Sequence, residues 1–82
     1  MIVHVRLFAS LREALGGEDE LELELPDGAT AEDAWRHLVR HRIDLAAKRH
    51  TMAVAINRRY APFEAALDDG DELVFLPPVG GG

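Results

Sequence analysis

Three groups of residues invite a chemical reading. The first is the close of the chain, Leu76-Pro77-Pro78-Val79-Gly80-Gly81-Gly82. Glycine buries nothing and is costly to order, so a run of three serves packing poorly. Stretched out, the segment from Pro77 to Gly82 reaches roughly 20 Å, thin enough for its carboxylate to enter a narrow pocket in another protein. A frayed terminus has the same composition, so the tail alone leaves both readings open. The second group is His37 and His41, which at i, i+4 on a helix could share a metal. No Glu stands between them in the zincin position and no third ligand is evident, which favours a solvated helix face. His4 and His50 are isolated. The third group is Asp68, Asp69, Asp71 and Glu72 around Gly70, which a turn explains without calcium. Gly80-Gly81-Gly82 is followed by no helix and so makes no phosphate loop. No nucleophile–base grouping can be assembled. The chain reads as one with no metal site and no active site of its own.

Size and charge narrow the field further. Eighty-two residues make one domain, burying only about 60–65% of its unfolded surface and leaving little room for an internal cavity. Hydrophobic residues at 48% and charged residues at 29% describe a globular chain. A net charge of −6 argues against nucleic acid, whose phosphates need a basic face, and favours a partner with a basic entrance. The absence of cysteine removes disulfides, thiolate metal sites and thiol nucleophiles together. No apolar run approaches membrane-spanning length and no signal-peptide pattern opens the chain. The expectation is a cytoplasmic protein with no membrane partner.

The elements that must hold the tail are legible from periodicity. Val3, Val5 and Leu7 alternate with His4, Arg6 and Phe8, which predicts a strand over Met1–Ala9 with Phe8 facing away from the core. Ser10 is expected to cap a short helix, Leu11–Leu15, ended by Gly16-Gly17. Leu21, Leu23 and Leu25 alternate with Glu20, Glu22 and Glu24, a strand with one wet face over Asp19–Leu25. The short connection makes these two strands antiparallel. Pro26-Asp27-Gly28 turns the chain. Thr30 with Asp33 forms a shortened capping box for a helix to about His41. Its buried face is Ala31, Ala34, Trp35, Leu38 and Val39. Residues 43–50 give no clear signal. Thr51–Asn57 is apolar on both sides and reads as a central strand, Tyr60–Pro62 as a short edge strand, and Glu72–Leu76 as the last strand, stopped by Pro77-Pro78.

This order describes an α+β fold with β-grasp (ubiquitin-like) topology. It consists of a mixed sheet of four to five strands with one main helix across it, a domain over residues 1–76 and a flexible tail over 77–82. Leu73 and Phe75 face the core in the last strand, leaving Val74 and Leu76 outward. The first and last strands lie side by side in such a fold, so Phe8, Val74 and Leu76, with Tyr60 nearby, are expected to form an apolar docking patch at the root of the tail.

The chain resembles the molybdopterin synthase small-subunit family, ubiquitin-like sulfur carriers, over essentially its whole length. Leu7-Phe8-Ala9 with Arg12-Glu13 resembles the family's first strand and helix start, and Ala53-Val54-Ala55-Ile56-Asn57 its central strand and turn. The most specific likeness is LDDGDELVFLPPVGGG, Leu67 to Gly82, with Gly80 at a variable position. The resemblance implies that an ATP-dependent activating enzyme adenylates the Gly82 carboxylate and a sulfur donor converts it to a thiocarboxylate. The chain then docks on the large synthase subunit and inserts Pro77, Pro78, Val79, Gly80 and Gly81. Sulfur passes to cyclic pyranopterin monophosphate in molybdenum cofactor biosynthesis. No cofactor is bound by the carrier itself, and the catalytic groups sit on the partners. Rival expectations are a sulfur carrier for thiamine, for transfer-RNA thiolation or for protein tagging, and a β-grasp interaction module whose tail carries no chemistry.

Overall fold

The computed structural model describes residues 1–77. The elements run β1 (Ile2–Arg6), α1 (Ala9–Ala14), β2 (Glu20–Glu24), α2 (Ala31–Leu38), α3 (Ile43–Ala46), a 3-10 turn (Arg49–Thr51), β3 (Ala53–Ile56), β4 (Arg59–Ala61) and β5 (Glu72–Leu76). Five strands form one mixed sheet in the order β2-β1-β5-β3-β4. β1 pairs antiparallel with β2 and parallel with β5, and β3 runs antiparallel to both β5 and β4. This is the β-grasp arrangement. The expected central position of the third strand holds in that β3 is paired on both sides, but the middle of the sheet is β5.

Alternation fixes the faces. Val3, Val5, Leu73, Phe75 and Val54 are essentially inaccessible, and they share one side because the period of a strand is two. The helices cover that side. Trp35 of α2 is 2% exposed and meets Phe75 edge to face, with ring centroids 5.1 Å apart. Phe63 stacks on the same ring at 6.0 Å. Trp35 is thus the large core plug that its place on the helix predicts, although its indole N–H, buried, has no acceptor among the described residues. Such an orphan costs about 1–3 kcal/mol. Over Phe63, the Arg49 guanidinium sits 3.4 Å from the ring centroid and pairs with Glu32 at 2.7 Å, closing the outer side of the core.

Helix α2 begins as its sequence dictates. The Asp33 N–H donates to Thr30 Oγ1 at 3.2 Å and the Thr30 N–H donates to Asp33 Oδ2 at 2.9 Å, a reciprocal capping box. It ends earlier than its charge pattern suggests, at Leu38. Val39 is 2% exposed and leaves the helix to stay in the core, and Arg40 donates to the free His37 carbonyl at 2.7 Å. His41 therefore lies beyond the helix, and the i, i+4 face with His37 does not form. At α1 the expected Ser10 cap is also corrected. Phe8 occupies the N-cap position in extended conformation with no side-chain cap, and Ser10 lies inside the helix. Burying Leu7 and Leu11 on either side of Phe8 sets this start, and Gly17 closes the end by donating to the Arg12 carbonyl at 2.8 Å. The unassigned stretch 43–50 is α3 and the start of the 3-10 turn, tied down by Leu45.

Candidate functional site

Because inward and outward residues alternate, the sheet side away from the helices is built from β1, β5, β3 and β4 in register. Arg6 pairs with Val74, Val74 with Ala55, and Ala55 with Tyr60, a row spanning about 15 Å at ordinary strand spacing. The next row pairs Leu76 with Ala53. Val74 and Leu76 are half-buried, whereas Tyr60 is 78% and Phe8 49% exposed. The two alanines of β3 keep the face low between β5 and Tyr60. Val74, Leu76 and Tyr60 are thereby brought together, and Phe8 flanks them past the end of β1, with the Arg6 guanidinium 5.8 Å from its ring centroid. Pro77 follows at the end of β5 and is exposed. Pro78, Val79, Gly80, Gly81 and Gly82 lie outside the described residues.

Charge is arranged around this apolar area. Glu72 stands between Arg6 at 4.0 Å and Arg58 at 3.9 Å. On the β2 side, His4 approaches Glu20 and Glu22 at 4.0 and 3.9 Å, so the glutamates occupy the wet face that their alternation predicts. Among the described residues, no group of three or more His, Cys, Asp or Glu side chains is placed to hold a metal ion, and no helix is long and apolar enough to cross a membrane.

The acidic turn before β5 holds more than the turn that its composition predicts. Asp71 is 9% exposed, the one buried charged side chain among the described residues. Its carboxylate accepts from the Asn57 side-chain amide at 2.8 Å and from the Asp68 N–H at 2.7 Å, while Asn57 Oδ1 accepts from the Glu72 N–H at 2.9 Å. Asn57 and Arg58 form a tight turn with φ +51° and +70°, the left-handed conformations a two-residue hairpin requires. The polar lock thus ties the β3–β4 hairpin, which carries Tyr60, to the start of β5, which carries Val74, Leu76 and the tail. Gly70, at φ +87°, allows the turn to close, and its N–H reaches the Ile2 carbonyl at 2.7 Å. Asn57 and Asp71 are fourteen residues apart, and only the two turn signals pointed to either.

On the helical side of the same tail root lies a cleft of about 480 Å³. Leu11, Ala14, Trp35, Leu45, Met52 and Pro77 make its apolar wall, and Arg42, Asp44 and Lys48 are among its polar lining. Arg42 grips Asp44 through two hydrogen bonds of 3.0 and 2.7 Å and also donates to the Ala14 carbonyl, tying the start of α3 to the end of α1. This pairing holds the Asp44 carboxyl below its ordinary value, chiefly through the Arg42 hydrogen bonds. No local pattern marks the cleft, because its walls join α1, Trp35 of α2, α3, Met52 and Pro77, which are distant in the chain.

The ThiS family matches residues 5–82. A molybdopterin synthase sulfur carrier subunit of Haemophilus influenzae is 41% identical, over 99% of this chain and all of the relative. Small archaeal modifier protein 1 of Haloferax volcanii superposes with a TM-score of 0.81 at 28% identity, over 95% of this chain and 98% of that one. The structure of a complex of subunits 1 and 2 of the molybdopterin-converting factor from Helicobacter pylori contains a chain that matches with a TM-score of 0.65 at 25% identity, each chain covered in full. The β-grasp sheet, the Leu67–Gly82 ending and these full-length likenesses place the chain in the ThiS family, among the sulfur carrier subunits of molybdopterin synthase.

Proposed function

We propose that this carrier holds its sulfur as a thiocarboxylate on Gly82. An ATP-dependent activating enzyme converts the Gly82 carboxylate to an acyl adenylate with release of pyrophosphate. A donor of sulfide-level sulfur then attacks the acyl carbon as hydrosulfide and AMP leaves, so that one carboxylate oxygen is replaced by sulfur with no change of oxidation state. An unperturbed terminal carboxylate has a pKa near 3.3–3.7 and is ionised at neutral pH, the form that attacks the α-phosphate of ATP. The loaded chain docks in the cytoplasm on the large subunit of molybdopterin synthase, inserts its tail, and delivers sulfur to cyclic pyranopterin monophosphate. Phe8, Tyr60, Val74 and Leu76 are the docking residues in this reading, and Pro77 to Gly81 the thin stem that reaches the partner's site.

The observation that carries the reading is the placement of the apolar row on β5, which runs directly into Pro77. A partner covering that row lies at the root of the tail. Glycines at positions 80 to 82 fit two different narrow pockets because they present no side chain at the acyl group. The matched chain from the complex of subunits 1 and 2 of a molybdopterin-converting factor supports a large-subunit partner. The superposition on an archaeal modifier protein favours protein tagging as the second reading. It uses the same adenylated Gly82 but passes the acyl group to a lysine amine. Reconstitution with the large subunit separates them: the carrier reading predicts molybdopterin from the loaded chain, and tagging predicts none. Deletion of Gly82 should leave the fold intact and abolish molybdopterin formation with the large subunit. Molybdopterin made at the undiminished rate by the deletion variant would overturn the proposal.

A further inference from the structure

We infer that the partner which receives the tail grips its root from both sides, and that the cleft between α1, α3 and Pro77 takes an apolar side chain of that partner, flanked by a carboxylate that meets Lys48. The inference rests on the sulfur-carrier reading and adds a second contact surface to it. The first argument is continuity. Leu76 is paired with Ala53 on the open side of the sheet, whereas Pro77, the next residue, forms part of the cleft wall on the helical side. A protein enclosing the tail at Pro77 therefore borders the cleft as well as the apolar row. The second argument is shape and polarity. The wall is built from Leu11, Ala14, Leu45, Met52 and Pro77, and about 480 Å³ suits a large apolar side chain with its neighbouring backbone, at the low end of the range for small-ligand sites. Arg42 and Asp44 hold the cleft open by bridging α3 to α1.

The third argument is charge. Arg42 is neutralised by Asp44 at 2.7 Å, while Lys48, exposed, makes no ion pair among the described residues. A cation with no ion-pair partner among the described residues thus stands at the mouth of an apolar cleft on a chain of net charge −6. The complementary ligand is an apolar residue beside Asp or Glu. A second copy of this chain fits less well, because two bodies of charge −6 repel.

The test is calorimetric titration of the full chain into the molybdopterin synthase large subunit of the same organism, with three variants beside the unmodified protein. Ala14→Trp fills the cleft and should weaken binding about tenfold or more, the loss expected when one large side chain can no longer be buried. Lys48→Glu, at an exposed position where the fold is not at stake, should weaken it a few-fold and flatten its dependence on salt. Binding by both variants within twofold of the unmodified chain overturns the inference. If Val74→Asp weakens binding in that same series, the sheet-side docking stands and only the cleft contact falls. An unmodified chain that fails to bind the large subunit overturns the carrier reading itself. Self-association that Ala14→Trp abolishes would assign the cleft to a second copy and likewise overturn the inference.

Discussion

Replacing Asp71 with Asn should cost far more than the loss of one charge at a turn. The Glu72 N–H must donate to Asn57 Oδ1, which leaves the Asn57 amide pointing its NH2 at residue 71. The Asp68 N–H also donates there, so position 71 has to accept twice. An aspartate has acceptors on both oxygens. An asparagine offers one acceptor and one NH2, and turning its amide only exchanges which donor is opposed. Flipping Asn57 in response would set its NH2 against the Glu72 N–H. One part-buried donor is opposed in every arrangement, at about 1 kcal/mol, the low end for a lost partner because water can reach it, and the surviving bond loses its charge assistance. The sum is roughly 1–2 kcal/mol, which for a domain of this size lowers the melting temperature by about 5–15 °C. Urea unfolding followed by circular dichroism measures it directly. Because the lock joins the Tyr60 hairpin to β5, the loss should be accompanied by faster amide exchange at Glu72. A change below about 0.5 kcal/mol would refute the acceptor count, since that is the range of ordinary surface substitutions.

Val74→Asp places a carboxylate in the middle of the apolar row on the open face, and should weaken binding to the large subunit by about tenfold or more in a titration, beyond the loss of about 1 kcal/mol of stability that Asp causes in a central strand. Thr30→Ala removes one half of the capping box and should destabilise the fold by about 1 kcal/mol in chemical denaturation. The hydrogen bonds from Thr30, backbone first, hold the Asp33 carboxyl below its ordinary value of 3.8. A depressed carboxyl contributes stability above the unfolded pKa and loses it as pH falls through the folded one, so the gap between the unmodified chain and Asp33→Ala should shrink below about pH 3.8 in acid titrations. Arg58→Gly relieves a left-handed residue at φ +70° and should stabilise the hairpin by about 0.5–1 kcal/mol, read as a raised denaturation midpoint.

Strands were legible wherever apolar residues alternate. Val3-Val5-Leu7, Leu21-Leu23-Leu25 and Leu73-Phe75 each commit one face to the core, and a slip of one residue would expose all of them. The last strand was expected at Glu72–Leu76 and is found there, because the acidic turn and the prolines mark both ends. The outward positions of Phe8, Val74 and Leu76 follow from the same alternation. Helix ends were less legible. Arg40 and His41 suit a helix terminus on charge alone, but burial of Val39 outweighs the few tenths of a kcal/mol that such charges contribute. Ser10 is a good cap in isolation and was overridden by the need to bury Leu7 and Leu11. Residues 43–51 are too short in each turn to show a period. The Asn57–Asp71 lock and the cleft beside Pro77 are tertiary features that join distant segments, and no local pattern encodes them.

In the proposed mechanism the chemistry rests on one carboxylate, that of Gly82. Intact-mass spectrometry of the full chain, before and after incubation with ATP, the activating enzyme and a sulfur donor, tests it most directly. The expected result is a mass gain equal to one oxygen replaced by sulfur, mapped to Gly82 by fragmentation and absent without ATP. An unchanged mass, with an activating enzyme verified on another carrier, would contradict it and leave an interaction module in place of a sulfur donor.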